Sequence, residues 1–550
     1  MRWLVLLLLL LPLVTASPYD IRHLNILAVN EGGETGSIAN LYLELRDGSG
    51  RVFLDTQPLT KIDTQVSTRY ARDVACDYYD LDCDRYDFIY TIRAQSSIIG
   101  GPSAGGAIAA LTAVAVMDLE HENVAVTGTI NSGGTIGPVG GVAAKVMSAS
   151  EVVDKVLVSY GSLDLPHNES NITIADMISN VSVSVEEVQE LDDIMYHLVG
   201  EYKLDRDKTV SEDSSYTQIM SGLQDLLCDR AELWYDRVDG IMLTQNQSVK
   251  LNESWSQIQS VDDWYSAASF CFGYNVLAHS YYNENLDNVS LQSERVQVEQ
   301  NIQRVKQILY NEPVNTISDL QTKMVTEQRL DDAYHALNGS NPAHNIAFAS
   351  ERVYTALSWM RFFEMPGSEI DTTQLSSICY AKIAEAEERY KYATLYLPEV
   401  LLAGTRSKID DAQDIVFTNP ERCLITAIEA KAESSSVLSS LGVTEDGVME
   451  YLDSKLLAVE RVISQQEGFP ILGYSYYRLA DNVKDENPNT ALLYVEYALE
   501  LSNLDVYFHN EQARWYHHLH YTQDLSVYIR GLINGLAIGF FGMWLWKRKN

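Results

Sequence analysis

The chain has 550 residues, enough for two or three domains that each bury a hydrophobic core. It carries 76 acidic against 40 basic residues, which gives a formal net charge of -36 at pH 7. Because a surface with this excess of negative charge repels phosphates, the composition excludes nucleic acid as a partner and indicates an acidic, solvated surface.

The first residues are typical of a secretory signal. MRWLVLLLLLLPLVTAS combines Arg2, a leucine run and small residues around Ala16, which is the layout of a signal and its cleavage site. We therefore expect residues 1–16 to be a signal peptide and the rest of the ectodomain to lie outside the cytoplasm.

Residues 17–203 alternate between strand-like and helix-like patterns. Strands are predicted over 23–30, 39–47, 87–94, 123–130 and 155–161. Helices are predicted directly after Ser103 and over 145–153. The pattern predicts one domain of the α+β class.

In the stretch GGPSAGG, residues 100–106, the hydroxyl of Ser103 is flanked by residues with small side chains or none. Glycines without Cβ atoms would let a substrate backbone approach Ser103. The backbone NH groups of Gly101, Ser103 and Ala104, at the start of the following helix, could then face the oxyanion of a tetrahedral intermediate. The alternative is a structural turn that leads into a buried helix. A phosphate-binding loop is excluded, because G-x-x-x-x-G-K-[ST] is absent from the sequence.

Lys145 ends a second glycine-rich segment, TGTINSGGTIGPVGGVAAK, which covers residues 127–145. Its neighbours are valine, alanine and methionine, so we expect a partly desolvated side chain. Desolvation lowers a lysine pKa, and a neutral lysine can act as general base for a serine nucleophile. The alternative is an ordinary solvated lysine.

From Leu204 to Asp524 the strand signals nearly vanish, and Ala, Leu and Tyr recur every three to four residues. We predict a helical domain over 204–524. One segment, YSYYRLADNVKDENPNTALLYVEYALELSNLD, is similar to a tetratricopeptide hairpin. No fixed period extends across the region, so a helical bundle and an array of hairpins both remain open.

Two further features agree with an oxidising, glycosylating compartment. Six cysteines allow fifteen pairings, and we choose the neighbouring pairs, Cys76 with Cys83, Cys228 with Cys271 and Cys379 with Cys423. The glycosylation acceptors are seven Asn-x-Ser/Thr triplets, at Asn168, Asn171, Asn180, Asn246, Asn252, Asn288 and Asn338.

Residues 525–546 are mostly apolar, and as a helix they would span about 33 Å, enough to cross a hydrocarbon core. The basic tail 547–550 follows at once. We predict a single transmembrane helix with a cytoplasmic C-terminus, and hence a cell-membrane protein with its other domains outside. The alternative is a buried core helix, which Arg530 favours because a charge in lipid is costly.

Together the motifs resemble the proteolytic domain of Lon proteases. In that family a serine follows Gly-Pro, a lysine sits four residues past a Gly-Gly pair, and the threonine of a Thr-Gly pair supports the lysine. Ser103, Lys145 and Thr127 match those places, and the resemblance extends over residues 25–200. It implies a Ser-Lys dyad without cofactor or metal, polypeptide substrates and a homo-oligomer, the family's hexameric ring.

The sequence departs from the family pattern in three respects. It lacks the Walker motif of the ATPase that usually accompanies the domain, and Thr129 and Gly100 stand where many relatives carry acidic residues. We therefore predict a membrane-anchored, ATP-independent serine endopeptidase acting on unfolded proteins or peptides outside the cytoplasm. The alternative is a non-catalytic surface scaffold. Metal-dependent hydrolysis is disfavoured, because HHLH at 517–520 lacks an H-E-x-x-H pattern.

Overall fold

A computed structural model describes residues 21–29, 35–94, 100–167, 172–204, 210–466 and 468–508. The chain divides into two compact units. The first comprises Met1–Asp207 together with Val437–Ser454, and the second comprises Lys208–Ser436 together with Lys455–Asn550. The predicted signal peptide and the triplets at Asn168 and Asn171 lie outside the described residues. The predicted domain boundary at 203/204 stays a prediction.

The first unit combines strands and helices, as its alternating pattern predicts. Its described strands are β1 (Ile21–Val29), β2 (Gly36–Asp47), β3 (Val52–Gln57), β4 (Tyr86–Ala94), β5 (Val124–Thr127), β6 (Thr129–Ile130), β7 (Ile136–Gly137), β8 (Lys155–Ser159) and β9 (Ser184–Val188). Its described α-helices are α1 (Ile62–Tyr78), α2 (Gly105–Val116), α3 (Val142–Ala149), α4 (Ile174–Ile178) and α5 (Leu191–Val199).

Seven of these strands form one mixed sheet in the order β3-β4-β2-β1-β5-β8-β9. β2 pairs antiparallel with both β1 and β4. The other pairs, β3 with β4, β1 with β5, β5 with β8 and β8 with β9, are parallel. The sequence of β5, VAVT, is buried at every position. Such unbroken apolar runs are typical of parallel strands that are covered on both faces.

Helix α2 is the central helix of this unit. Its sequence, GGAIAALTAVAV, is buried from Gly105 through Val114, as expected for a helix that is apolar all round. It packs against α1, β1 and α5. The turn that carries Ser103 therefore leads directly into the most enclosed helix of the sheet domain.

Residues 437–454 complete the first unit from far along the sequence. The ring of Tyr451 stacks on that of Tyr160 with 6.3 Å between centroids. A Cβ atom at Gly442 would lie 2.5 Å from Cγ of Pro138. The loop that precedes α3 is thus packed against a segment that begins about 300 residues later.

The second unit is helical, in agreement with the predicted helical region. The α-helices after residue 210 are α6 (Ser214–Asp239), α7 (Gln245–Ile258), α8 (Trp264–Asn283), α9 (Asn288–Tyr310), α10 (Ile317–Ala336), α11 (Pro342–Trp359), α12 (Leu375–Ala393), α13 (Ala403–Ile415), α14 (Pro420–Leu441), α15 (Val448–Gln465), α16 (Ile471–Val483) and α17 (Pro488–Ser502). Short 3₁₀ helices occur in both units, at Cys83–Arg85, Ser132–Gly134, Met360–Glu364, Thr372–Gln374, Glu399–Leu402 and Leu504–Tyr507.

Several of these helices begin at a residue whose side chain accepts hydrogen bonds from the exposed NH groups of the first turn. Caps of this kind are Asp213, Thr244, Asp263, Asp287, Thr316, Asn341 and Asn487. Neighbouring helices then pack in pairs, α6 with α8, α10 with α11 and α16 with α17. Some of the aspartates of this acidic chain therefore act as helix caps.

Disulfides join neighbouring cysteines in both units. The bonded pairs are Cys76 with Cys83, Cys228 with Cys271 and Cys379 with Cys423. All three predicted pairs are confirmed.

Along the described ranges, no helix is both long and apolar enough to cross a membrane. Even α6, with 26 residues, carries Asp225, Asp229 and Arg230 along its length. The predicted fold class is therefore wrong in including a C-terminal transmembrane helix, and the cell-membrane location that depended on this helix is wrong with it. The stretch to which the helix was assigned, 525–546, and the basic tail 547–550 lie outside the described residues.

Candidate active site

Ser103 lies in a tight turn directly before α2. The turn is closed by the NH of Gly105, which donates to the carbonyl of Pro102 at 2.9 Å. Gly101 has a φ of 94°, a left-handed conformation that favours glycine. Ser103 is half-buried. The turn therefore presents the serine at the positive end of the α2 dipole.

Two backbone hydrogen bonds join this turn to the end of β5. The NH of Gly128 donates to the carbonyl of Ser103 at 3.0 Å, and the NH of Gly106 donates to the carbonyl of Gly128 at 3.0 Å. A Cβ atom at Gly105 would lie 2.9 Å from the backbone nitrogen of Ile130. Gly105 and Gly106 are buried, so they serve the close approach of α2 to the strands and not the approach of a substrate.

Lys145 lies on α3 with its side chain inside the first unit, where only 2% of the residue is exposed. Its Nζ donates to Oγ1 of the fully buried Thr127 at 3.0 Å. Burial lowers the pKa of Lys145 to about 7, because an ammonium group is poorly stabilised away from water. No carboxylate among the described residues pairs with it. Both the charged and the neutral form of Lys145 are therefore populated near pH 7.

The chain segment from Thr127 to Lys145 is short, and a two-stranded ribbon constrains its conformation. β6 and β7 form an antiparallel ribbon in which Thr129 pairs with Gly137 and Ile130 with Ile136. The chain then enters α3 through Gly141, which has a φ of 68°. This ribbon places α3 so that Lys145 reaches back to the strand that precedes the ribbon.

Thr127 and Gly128 are consecutive residues and connect the two candidate groups. Gly128 holds Ser103 by a backbone hydrogen bond, and Thr127 holds Lys145 by its hydroxyl. Within the described ranges, Oγ of Ser103 and Nζ of Lys145 do not form a direct hydrogen bond. Such contacts are often long in ligand-free enzymes and shorten only when a substrate binds.

The predicted oxyanion donors divide into two groups. The NH groups of Ser103 and Ala104 donate to no acceptor in the part of the chain that the structure describes. The NH of Gly101, in contrast, donates to Oδ2 of Asp63 at 3.2 Å. Of the three predicted donors, only Ser103 and Ala104 therefore have NH groups without an acceptor among the described residues.

Asp63 and Lys61 are neighbours of the serine turn that the motifs do not indicate. Both lie at the start of α1, and the Lys61 side chain lies beside Gly100, where an added Cβ atom would be 2.8 Å from its Cδ. Asp63 brings a carboxylate to the turn from a different element, by accepting from the NH of Gly101. No local signal marks this pair, because 38 residues separate Asp63 from Gly101.

The described residues hold no cluster of three or more His, Cys, Asp or Glu side chains suited to a metal ion. The histidines at 517–520 lie outside the described residues.

Residues 73–200 match the family model of the Lon protease (S16) C-terminal proteolytic domain. The matched range includes Ser103, Thr127 and Lys145 but covers under a quarter of the chain. No curated protein matches the sequence. The family match indicates a Lon-type serine protease domain within the first unit.

Proposed function

We propose that this protein is an ATP-independent serine endopeptidase in which Ser103 is the nucleophile and Lys145 the general base. The observation that carries the proposal is the buried Lys145, held by Thr127 and with its pKa lowered to about 7. A general base works best when its pKa lies near the operating pH. The match to a serine protease family over the same residues supports this assignment.

In the acylation step, neutral Lys145 takes the proton of the Ser103 hydroxyl while Oγ attacks the carbonyl carbon of a peptide bond. The NH groups of Ser103 and Ala104, at the start of α2, stabilise the negative oxygen that forms. The intermediate collapses when the C–N bond breaks and the Lys145 ammonium returns the proton to the leaving amine. An ester between Ser103 and the acyl part of the substrate remains.

Deacylation repeats the same proton transfers with water. Lys145 removes a proton from the water that attacks the ester, and it then protonates Oγ of Ser103 as the acid product leaves. Thr127 keeps the lysine amine oriented throughout by accepting its hydrogen bond. Thr127 is thus a positioning residue and does not touch the substrate.

The proposed substrates are peptides and unfolded proteins. The sequence contains no Walker motif, so the chain has no nucleotide-binding loop of that type with which to unfold a substrate. A polypeptide that enters the site must therefore already be extended.

A non-catalytic binding protein is the second candidate, and one observation favours it. Among the described residues, Ser103 and Lys145 are joined only through Thr127 and Gly128 and not by a direct hydrogen bond. If the protein is a non-catalytic binding protein, the buried Lys145 belongs to a protease-like domain that has no activity.

Labelling with a fluorophosphonate probe distinguishes the two candidates, because the probe forms a covalent bond only with an activated serine. We expect one adduct per chain, located on Ser103 by mass spectrometry, with a labelling rate that increases as the pH rises through 7. Ser103→Ala and Lys145→Met should abolish labelling. Ser150→Ala, at the end of α3 and on the surface, should not. Absence of an adduct from the wild-type protein would favour the binding protein.

A further inference from the structure

The second unit encloses a cavity of about 310 Å³. Its walls come from α6, α8, α10, α11, α14, α16 and α17. Six of the lining residues are aromatic, among them Tyr265, Trp359 and Tyr476, and polar and charged side chains also contribute to the walls. This volume lies at the lower end of the range for sites that bind small organic molecules.

Arg329 lines this cavity without a charged partner. It is 9% exposed, and its guanidinium lies over the ring of Trp359, 4.9 Å from the centroid. Among the described residues, Arg329 forms no hydrogen bond and no ion pair, and its Nε is buried without an acceptor. A buried guanidinium that is left unpaired is costly, and arginine does not release its proton to avoid that cost.

The other charged groups of the lining, Glu429 and Arg352, each form an ion pair. Glu429 forms an ion pair with Lys408 at 2.9 Å and accepts a hydrogen bond from Gln328. Nε of Arg352 lies at ion-pair distance, 3.5 Å, from the Asp332 carboxylate, although this nitrogen, like Nε of Arg329, has no hydrogen-bond acceptor in the described part of the chain. Burial, followed by the nearby charge of Arg352, lowers the pKa of Arg329. Of the charged side chains that line the cavity, Arg329 is thus the one without an ion-pair partner among the described residues, and aromatic side chains lie beside it.

We propose that this cavity binds an organic carboxylate with an apolar or aromatic body, the carboxylate on Arg329 and the body against Tyr265, Trp359 and Tyr476. A single guanidinium can form two parallel hydrogen bonds with one carboxylate. This site does not depend on the proposed peptidase activity.

The ligand carboxylate has two sources, the free C-terminus of a peptide and a small carboxylic acid. Isothermal titration calorimetry on the full chain separates them with two probe pairs. The first pair is N-acetyl-Ala-Ala-Phe as free acid and as C-terminal amide, and the second is 3-phenylpropionate and 3-phenylpropionamide. All titrations use Ser103→Ala protein, so that cleavage cannot consume the peptide.

We expect the acid of at least one pair to bind about tenfold or more tightly than its amide, because the amide cannot form a charge-assisted pair with Arg329. The pair with the tighter acid identifies the source. Arg329→Gln should lose this preference. Arg406→Gln should keep it, because Arg406 lies over the ring of Tyr390 and outside the cavity. Equal binding of acid and amide, or no binding of either acid at millimolar concentration, would overturn the proposal.

A stability measurement distinguishes a binding arginine from a structural one. Arg329→Gln removes an unpaired buried charge, so the melting temperature of the ligand-free protein should stay the same or rise. The acid that binds wild type should then raise the melting temperature of wild type but not that of the variant. A variant that melts earlier but retains acid binding would show that Arg329 serves only to pack on Trp359.

Discussion

Lys145 donates from its Nζ to Oγ1 of Thr127 at 3.0 Å, and both residues are almost completely removed from water. A hydroxyl is a weak partner for a buried ammonium compared with a carboxylate. The contact therefore orients the lysine without fixing its charge. This combination of orientation and a pKa of about 7 is what the proposed dyad requires.

Replacement of Lys145 by methionine is expected to stabilise the protein while abolishing its activity. The pKa of Lys145 is about 7 in the folded chain against 10.5 for the ordinary side chain. The cost of burial is thus complete below pH 7 and disappears as the pH rises toward 10.5, so wild-type stability increases with pH over that range. The maximum gain for Lys145→Met is roughly 5 kcal/mol, reduced by about 1 kcal/mol for the lost hydrogen bond to Thr127.

Chemical denaturation between pH 6 and 9.5 checks this prediction. The difference between Lys145→Met and wild type should shrink as the pH rises. Lys203→Met is a suitable control, because the Lys203 ammonium pairs with the carboxylate of exposed Glu201. A Lys145 variant that is less stable than wild type throughout would mean that the lysine is not desolvated.

Thr127→Val is expected to reduce kcat/KM by about tenfold or more, because the lysine loses the acceptor that orients it. The hydroxyl also stabilises the ammonium form, so the midpoint of the pH profile of kcat/KM should move to lower pH. Thr127→Ser keeps the oxygen and should restore both quantities. An unchanged midpoint in Thr127→Val would assign the threonine a purely structural role.

Ser103 and Lys145 could be singled out as candidates because their signals are local. Ser103 is marked by its glycine turn and the apolar helix that follows, and Lys145 by the glycines and small apolar residues around it. The structure places both at the end of β5, where Thr127 and Gly128 contact one each. The pairing of cysteines that neighbour each other in sequence was also confirmed for all three disulfides.

Contacts between distant residues could not be predicted. Asp63 reaches Gly101 across 38 residues, and Gly442 reaches Pro138 across about 300. Neither α1 nor β3 carries a strong periodic signal, and both were missed. In the sequence, nothing distinguishes Arg329 from a surface arginine on a helix. Its burial results from the packing of seven helices around the cavity.

The transmembrane prediction shows the limit of reading hydropathy alone. A window of apolar residues identifies a segment that is long enough to span lipid. Length and apolar character alone do not establish that the segment is a transmembrane helix. The longest described helix, α6, buries one face and carries charged residues on the other.

Gly442→Ala is expected to destabilise the first unit by about 1 to 3 kcal/mol, because the new methyl group would overlap Pro138. Since Pro138 lies in the loop before α3, the cleavage rate should also fall. Gly447→Ala tests the same segment at a position where the nearest atom lies 3.4 Å from the added carbon. If both variants melted and cleaved alike, residues 437–454 would not support the site.

The disulfides are expected to differ in their contribution to stability. Cys76 and Cys83 close a loop of 7 residues, whereas the other two bonds span 43 and 44. Loop entropy gives about 2.5 kcal/mol for the short bond and about 4 kcal/mol for each long one. Paired Cys→Ser variants, compared by thermal unfolding, should follow that order. Greater destabilisation by loss of the short bond would contradict the entropic account.

Cleavage of a reduced and carboxymethylated protein, without ATP, tests the central claim most directly. We expect wild type to cleave it with a kcat/KM that rises through a midpoint near pH 7 and then levels off, since only neutral Lys145 accepts the Ser103 proton. Ser103→Ala should be inactive at every pH. Lys145→Arg should be inactive too, because arginine stays protonated. Equal cleavage by wild type and Ser103→Ala would contradict the account.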